Sequence, residues 1–324
     1  MRFGAAEYGG RRMLSLVPVW LGVSLLAFSL ANLAPGDPAE IILQRQAGEP
    51  PTAEAVEQLR REMGLDAPFA VRYGRWLGGA VRGDFGTSYS SGQPVFRTLA
   101  ERLPATLQLA SGALLLGLLI AIPLGVVAAV NRGNAPDHLS RLIALIGTST
   151  PSFVLGYLLI LLFAVSLHML PVTGSGGWRY LVLPVMTLGL AEAAALTRLT
   201  RTSMLEVLGE DYVRTARAKG LPRRVVIMRH ALRNALNPVA TLAGVRFGRL
   251  LGGAVIIENV FARAGIGTTI VNAIHDRDYP MIQGFILFMG TVFVTVNLLV
   301  DLSYVWLDPR LRLIEPAERP SVAT

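Results

Sequence analysis

Two carboxylates, Glu192 and Asp301, and two guanidinium groups, Arg246 and Arg249, fall inside long apolar stretches of a 324-residue chain that is 52% hydrophobic and only 16% charged. A charge at such depth is costly and is kept where it pairs with another or serves a path. Intramembrane carboxylates are what a proton- or sodium-coupled carrier needs, so Glu192 and Asp301 define an ion-gradient-driven carrier as one reading. A structural reading stands beside it: Glu192 bound to an arginine across a helix bundle, and Asp301 near an interface. Arg246 and Arg249 are three apart and share a helix face. With Glu192 they form a candidate translocation path that would guide an anionic group such as a peptide carboxylate. The competing reading pairs them with Glu192 or with an acid on another subunit.

Other chemistries are excluded. The four histidines, His138, His168, His230 and His275, fall at or beyond expected helix ends and have no metal-ligand spacing. The absence of cysteine removes disulfides, thiolate zinc sites and a thiol nucleophile. No catalytic residue and no metal ligand is assigned. Lys219 is the only lysine and is followed by Gly220, so there is no phosphate-binding loop. Any ATP hydrolysis that serves this chain would lie on another one. The glycine cluster at Thr173–Gly177 reads as a turn. The net charge of +8 and the pI near 10.4 would point to nucleic acid in a soluble protein. No basic face interleaved with aromatic residues accompanies the charge, and no nucleic-acid partner is expected.

The elements that must position these residues are transmembrane helices. A span needs about 20 mostly apolar residues, and six segments qualify: about 13–34, 105–130, 139–167, 180–199, 238–261 and 281–307. The first, preceded by Arg11 and Arg12, is too long for a signal-peptide core and reads as an uncleaved helix. The loop after the fourth span, Arg198 to Asn237, carries nine basic residues against three acidic ones, whereas the outer loops are sparse or balanced. Basic loops stay in the cytoplasm. The expected organisation is therefore a cytoplasmic N-terminus (1–12), a first helix (13–34) and an extracytoplasmic loop subdomain (35–104). A five-helix core (105–307) containing the cytoplasmic loop 198–237 follows, then a cytoplasmic tail (308–324). Within the outer loop, Thr52 and Gly64 bracket a short helix, "GDFGTSYSSGQP" is turn-rich, and Pro94 opens a helix running toward the membrane.

The stretch "EDYVRTARAKGLPRRVVIMRHALRN", Glu210 to Asn234, has seven basic residues and two acidic ones. Gly220 stands where a helix end takes a left-handed residue, and Pro222 can start the next helix. That second helix is expected to end at Asn237-Pro238. Its apolar stripe would be Val225, Met228, Leu232 and Ala235, with Arg223, Arg224, His230, Arg233 and Asn234 mostly elsewhere. Such a helix could lie on anionic lipid or dock on a protein; charge and periodicity do not choose between them.

A resemblance chooses. "RTARAKG" followed by "LPRRVVIMRHALRNALNP" resembles the cytoplasmic coupling loop of ABC importer permeases. Ala216, Gly220 and Leu232 match that loop's pattern. Arg214, His230 and Arg233 depart from it, in the way of the oligopeptide, dipeptide and nickel branch. "LAPGDP", "GLDAPFAVRYGRWLGGAVRGDFGTS", "ERLPATLQLA" and "HDRDYPMIQG" resemble the same branch, in order along nearly the whole chain.

The resemblance implies an all-α integral membrane protein of about six transmembrane helices, with a type I ABC importer permease architecture and a small extracytoplasmic cap, in a bacterial inner membrane. It implies three kinds of partner beside the lipid bilayer: a second permease, two ATPase subunits or domains, and an extracytoplasmic solute-binding protein. ATP and Mg would be held by the ATPases and no cofactor by this chain. The cargo class would be peptides, with nickel chelates or other small solutes as alternatives. Arg214, Ala216, Gly220, Leu221, Pro222, Arg224, Arg229, His230, Leu232 and Arg233 would form the coupling surface. Asp276, Asp278 and Tyr279 would form an extracytoplasmic gate, although a capped turn explains these three equally well.

Overall fold

A computed structural model describes residues 5–33, 36–47, 50–174 and 176–307. Among the described residues the chain is helical, with one isolated β-bridge between Thr87 and Pro94. Helix α1 (Ala5–Leu33) begins before the first expected span, 13–34, and contains nearly all of it. The cap follows as α2 (Pro38–Ala47), α3 (Ala53–Glu62) and α4 (Phe69–Val81). The Thr52 hydroxyl accepts from the Ala55 N–H at 3.4 Å to cap α3. Gly64, with φ +65°, follows the end of that helix.

Helix α5 (Val95–Val130) begins in the cap at Pro94 and runs on as the second span with Pro104 and Pro123 inside it. Helix α8 (Arg179–Leu208) packs along it. A Cβ on Gly125 would overlap Thr200, so small residues set how closely these two helices approach. Leu109 and Ala113 of α5, Leu183 and Leu188 of α8, and Leu251 and Ile257 of the helix that follows form the main core.

Two expectations are corrected here. The third apolar segment is not one straight span. It divides into α6 (Ala135–Ser149) and α7 (Ser152–Leu159, continued as a π-helix over Ile160–Ser166), bent by 102°. Thr150 is extended and Pro151 starts α7, because the residue before proline is pushed out of helical geometry. The second helix of the basic stretch does not stop at Asn237-Pro238. From α10 (Arg223–Val225) it continues through a π-helical stretch (Val226–Ala231) into α11 (Leu232–Val260), with Pro238 inside it. A proline removes one backbone hydrogen bond, which a membrane helix tolerates where its neighbours compensate.

Before that helix lies α9 (Asp211–Ala218), and after it come α12 (Ile266–His275) and α13 (Tyr279–Leu307). Among the described residues, four helices are long and apolar enough to cross a membrane, or five with the bent α6–α7 pair counted once. Val17–Leu30 of α1 is a further, shorter apolar stretch.

Candidate functional site

The basic stretch folds as two helices at a corner. Gly220 has φ +77°, a left-handed conformation that side chains rarely adopt, and its N–H bonds to the Arg217 carbonyl at 2.9 Å. Helix α9 buries Val213 and Ala216 against Val226 and the end of α8, at Val207 and Leu208. Most of the charged side chains around that anchor face outward. Arg214, Arg217, Lys219, Leu221, Pro222, Arg224, Arg229 and Arg233 are exposed, while His230 and Leu232 are half-buried. Arg214 meets the exposed Asp211 at 3.3 Å and the Gly209 carbonyl at 3.4 Å. A pocket of about 390 Å³ opens between Ala129, Leu208, Leu221 and Val226, rimmed by Arg217 and Arg223.

The buried stripe of the second helix differs from the 3.6-residue expectation. Val226, Ala231, Ala235 and Val239 are buried, whereas Met228 is 54% exposed and Val225 half-buried. The step of five from Val226 to Ala231 is one π turn, which rotates the apolar face by the width of an extra residue. His230 consequently lies inside a continuous helix rather than at its end. Asn234 donates to the Tyr212 hydroxyl at 2.7 Å, joining this helix to α9.

Within the bundle, Arg246 of α11 donates to Glu192 of α8 at 2.8 Å, and both side chains are mostly buried. The structure thus joins two of the three path candidates as an ion pair. Arg249 is exposed and takes no part in it. Asp301 lies in α13, with its side chain outside the described residues.

At the other end, Asp278 is fully buried. It accepts the Ser88 hydroxyl at 2.5 Å, the Ser90 hydroxyl at 2.9 Å and the backbone N–H groups of Tyr89, Ser90 and Met281. One carboxylate therefore caps α13 and ties down the turn-rich connector of the cap. Tyr279 is buried beside it, and Asp276 is half-buried. The Tyr89 phenol is pushed up to about 12, chiefly by burial and then by the Asp278 charge, so it stays a neutral donor.

Two further charged clusters had no sequence signal strong enough to single them out. Asp137, buried at the start of α6, receives both Nε and Nη2 of Arg201 of α8, at 2.6 and 2.9 Å, and the Gly133 N–H at 3.0 Å. Glu258, fully buried near the end of α11, accepts the Thr106 hydroxyl of α5 and the Gly267 N–H of α12. Among the described residues, no group of three or more His, Cys, Asp or Glu side chains could hold a metal.

Residues 121–313 match the family described as the binding-protein-dependent transport system inner membrane component, and residues 7–110 match the N-terminal region of such membrane components. The chain belongs to this permease family. The permease is 42% identical over 306 residues to the glutathione transport system permease protein GsiC of Escherichia coli (strain K12), covering 94% of this chain and 99% of that one. It is 41% identical, with the same coverage, to the protein of that name from Salmonella paratyphi A.

In fold it is similar to an amino acid ABC transporter with histidines, at TM-score 0.50 and 16% identity over 66% of the permease and 94% of that chain. It is also similar to the inward-facing MetNI methionine ABC transporter, at TM-score 0.53 and 19% identity over 65% of the permease and 96% of that chain. The all-helical architecture is that of a type I ABC importer permease.

The permease is thus a membrane subunit of an ABC importer rather than an enzyme, and the ATPase activity lies in partner subunits. The family works in the inner membrane with a partner permease, ATPases and a solute-binding protein. This replaces the ion-gradient carrier built on Glu192 and Asp301.

Proposed function

We propose that this permease imports short peptides and is driven by ATPase subunits docked on the corner formed by α9, Gly220 and α10. The observation that carries the docking is the division of labour at that corner. Val213 and Ala216 are buried as an anchor, and a rim of exposed arginines with Leu221 faces outward. A short helix fixed at its base transmits a rigid-body shift, and exposed guanidinium groups can meet acidic groups on a partner. In this reading both termini and the loops after α5 and α8 are cytoplasmic, in line with the nine basic residues of the 198–237 loop. Peptide cargo is supported by the name of the relative at 42% identity, whose system transports glutathione. ATP and Mg belong to the partners, and the permease holds no cofactor of its own.

The chain has no cysteine, so one introduced by substitution is its single thiol. Leu221→Cys in the assembled importer should cross-link to an ATPase subunit with a short bifunctional reagent, and the yield should change when ATP is trapped. An intact complex that gives no such cross-link would refute docking at this corner. ATP-dependent uptake of glutathione or short peptides into proteoliposomes tests the cargo.

A further inference from the structure

The outer end of the permease contains a recess of about 490 Å³ between the end of α1, the cap and the start of α13. That volume is in the range of small-molecule sites. Its electrostatics are uneven. The acid that lines it, Asp37, is already held by Arg60, at 2.5 Å. The nearby Asp278 is saturated by five donors from Ser88, Tyr89, Ser90 and Met281. Arg72 and Arg75, three apart on α4, also line the recess, and neither has an acidic partner among the described residues. Arg277 adds a third guanidinium at the rim, where its Nη1 lies 3.5 Å from a Cβ placed on Gly36.

The recess also has an aromatic wall. Trp76 stands on the same face of α4 as Arg72 and packs its ring 5.5 Å from that of Phe28. The buried Nε1 of Trp76 has no acceptor, which is unusual for a buried donor. Two unneutralised guanidinium groups beside an apolar wall fit a small molecule with a carboxylate at one end and an apolar body. A guanidinium meets a carboxylate with two parallel hydrogen bonds.

We infer that this recess is an outer subsite that receives the free carboxylate of a short peptide, through Arg72 and Arg75. The inference rests on the peptide-cargo reading above and adds a place where the cargo meets the permease.

The test uses the membrane complex of the permease with its partner permease and ATPases, in phosphatidylcholine nanodiscs. Saturation-transfer NMR measures binding of glutathione and of its diethyl ester. Glutathione should bind saturably, the ester should not, and Arg72→Gln with Arg75→Gln should weaken glutathione at least about tenfold, the scale of one lost charged contact. Arg75→Lys should recover part of the binding, which a misfolded cap would not allow.

Equal binding of the acid and the ester, or unchanged binding in an intact double variant, would overturn the subsite. So would loss of the glutathione signal when phosphatidylglycerol is added, because the recess would then hold a lipid headgroup. Uptake by wild-type proteoliposomes is measured in parallel. Peptide uptake with no Arg72 or Arg75 effect sinks the subsite alone, and absence of peptide uptake sinks both readings.

Discussion

The Thr106 hydroxyl donates to the Glu258 carboxylate at 2.5 Å, across 152 positions of sequence, and the same hydroxyl accepts the Ile266 N–H at 3.1 Å. Three helices, α5, α11 and α12, therefore meet at one buried acid. Glu258→Ala would leave the Thr106 hydroxyl and the Gly267 N–H without an acceptor, at about 1–3 kcal/mol for each. Thermal unfolding of the purified complex should show the loss, with Glu258→Gln less affected because it keeps an acceptor oxygen. Gly265→Ala should be at least as damaging, because a methyl there would overlap that carboxylate. Wild-type stability in both Glu258→Ala and Gly265→Ala would show that the junction does not hold the bundle.

A double-mutant cycle separates structure from path at Glu192 and Arg246. Arg246→Gln alone strands a mostly buried carboxylate and should cost about 3–5 kcal/mol, whereas Glu192→Gln with Arg246→Gln should recover much of it. If these residues also line the path, the stable double variant will still show altered uptake. Changing Arg246 and Arg249 together to Gln and finding unchanged uptake of every substrate would rule out a path role.

Gly220→Pro should leave membrane insertion intact and abolish uptake. Proline cannot take φ +77° and has no N–H for the Arg217 carbonyl. Protein yield and folding checks separate this from collapse of the chain. Normal uptake by the variant would argue against coupling through the corner.

Asp137 and Arg201 form a two-pronged pair, with Asp137 buried. Asp137→Asn should destabilise by a few kcal/mol, because it leaves the Arg201 charge in a poorly solvated place. The exchanged pair, Asp137→Arg with Arg201→Asp, should regain part of that stability. Denaturation of the detergent-solubilised complex measures both, and no recovery in the exchanged pair would mean that position, not charge pairing, matters there.

Much of this architecture was legible from local pattern. The apolar runs marked the spans, Thr52 marked the start of α3, and the Gly220-x-Pro222 punctuation marked the corner. What failed were features that depend on packing. A stripe read at 3.6 residues per turn misassigned Met228, because the π turn at Val226–Ala231 is detectable only from which side chains are buried. Pro238 was expected to end a helix and lies inside one, whereas Pro151, inside an expected span, marks a break. The difference lies in what surrounds each of them. Asp137 and Arg201 are 64 positions apart, and Thr106 and Glu258 are 152 apart. One sequence carries no record of such pairings. Glu258 did leave a faint trace: a carboxylate at the end of an apolar run, with Gly265 and Gly267 close behind it.

The unbroken run from Arg223 to Val260 has a mechanical consequence. At about 1.5 Å per residue those 38 residues make a rod of about 57 Å, longer than the roughly 30 Å hydrocarbon layer. Arg246, clasped to Glu192, lies about 35 Å from one tip and about 21 Å from the other. The rod therefore joins the exposed basic corner at Arg223 to the buried junction of Glu258 with Thr106 in one element, with Ala235, Val239, Leu250, Leu251 and Ile257 buried along its length.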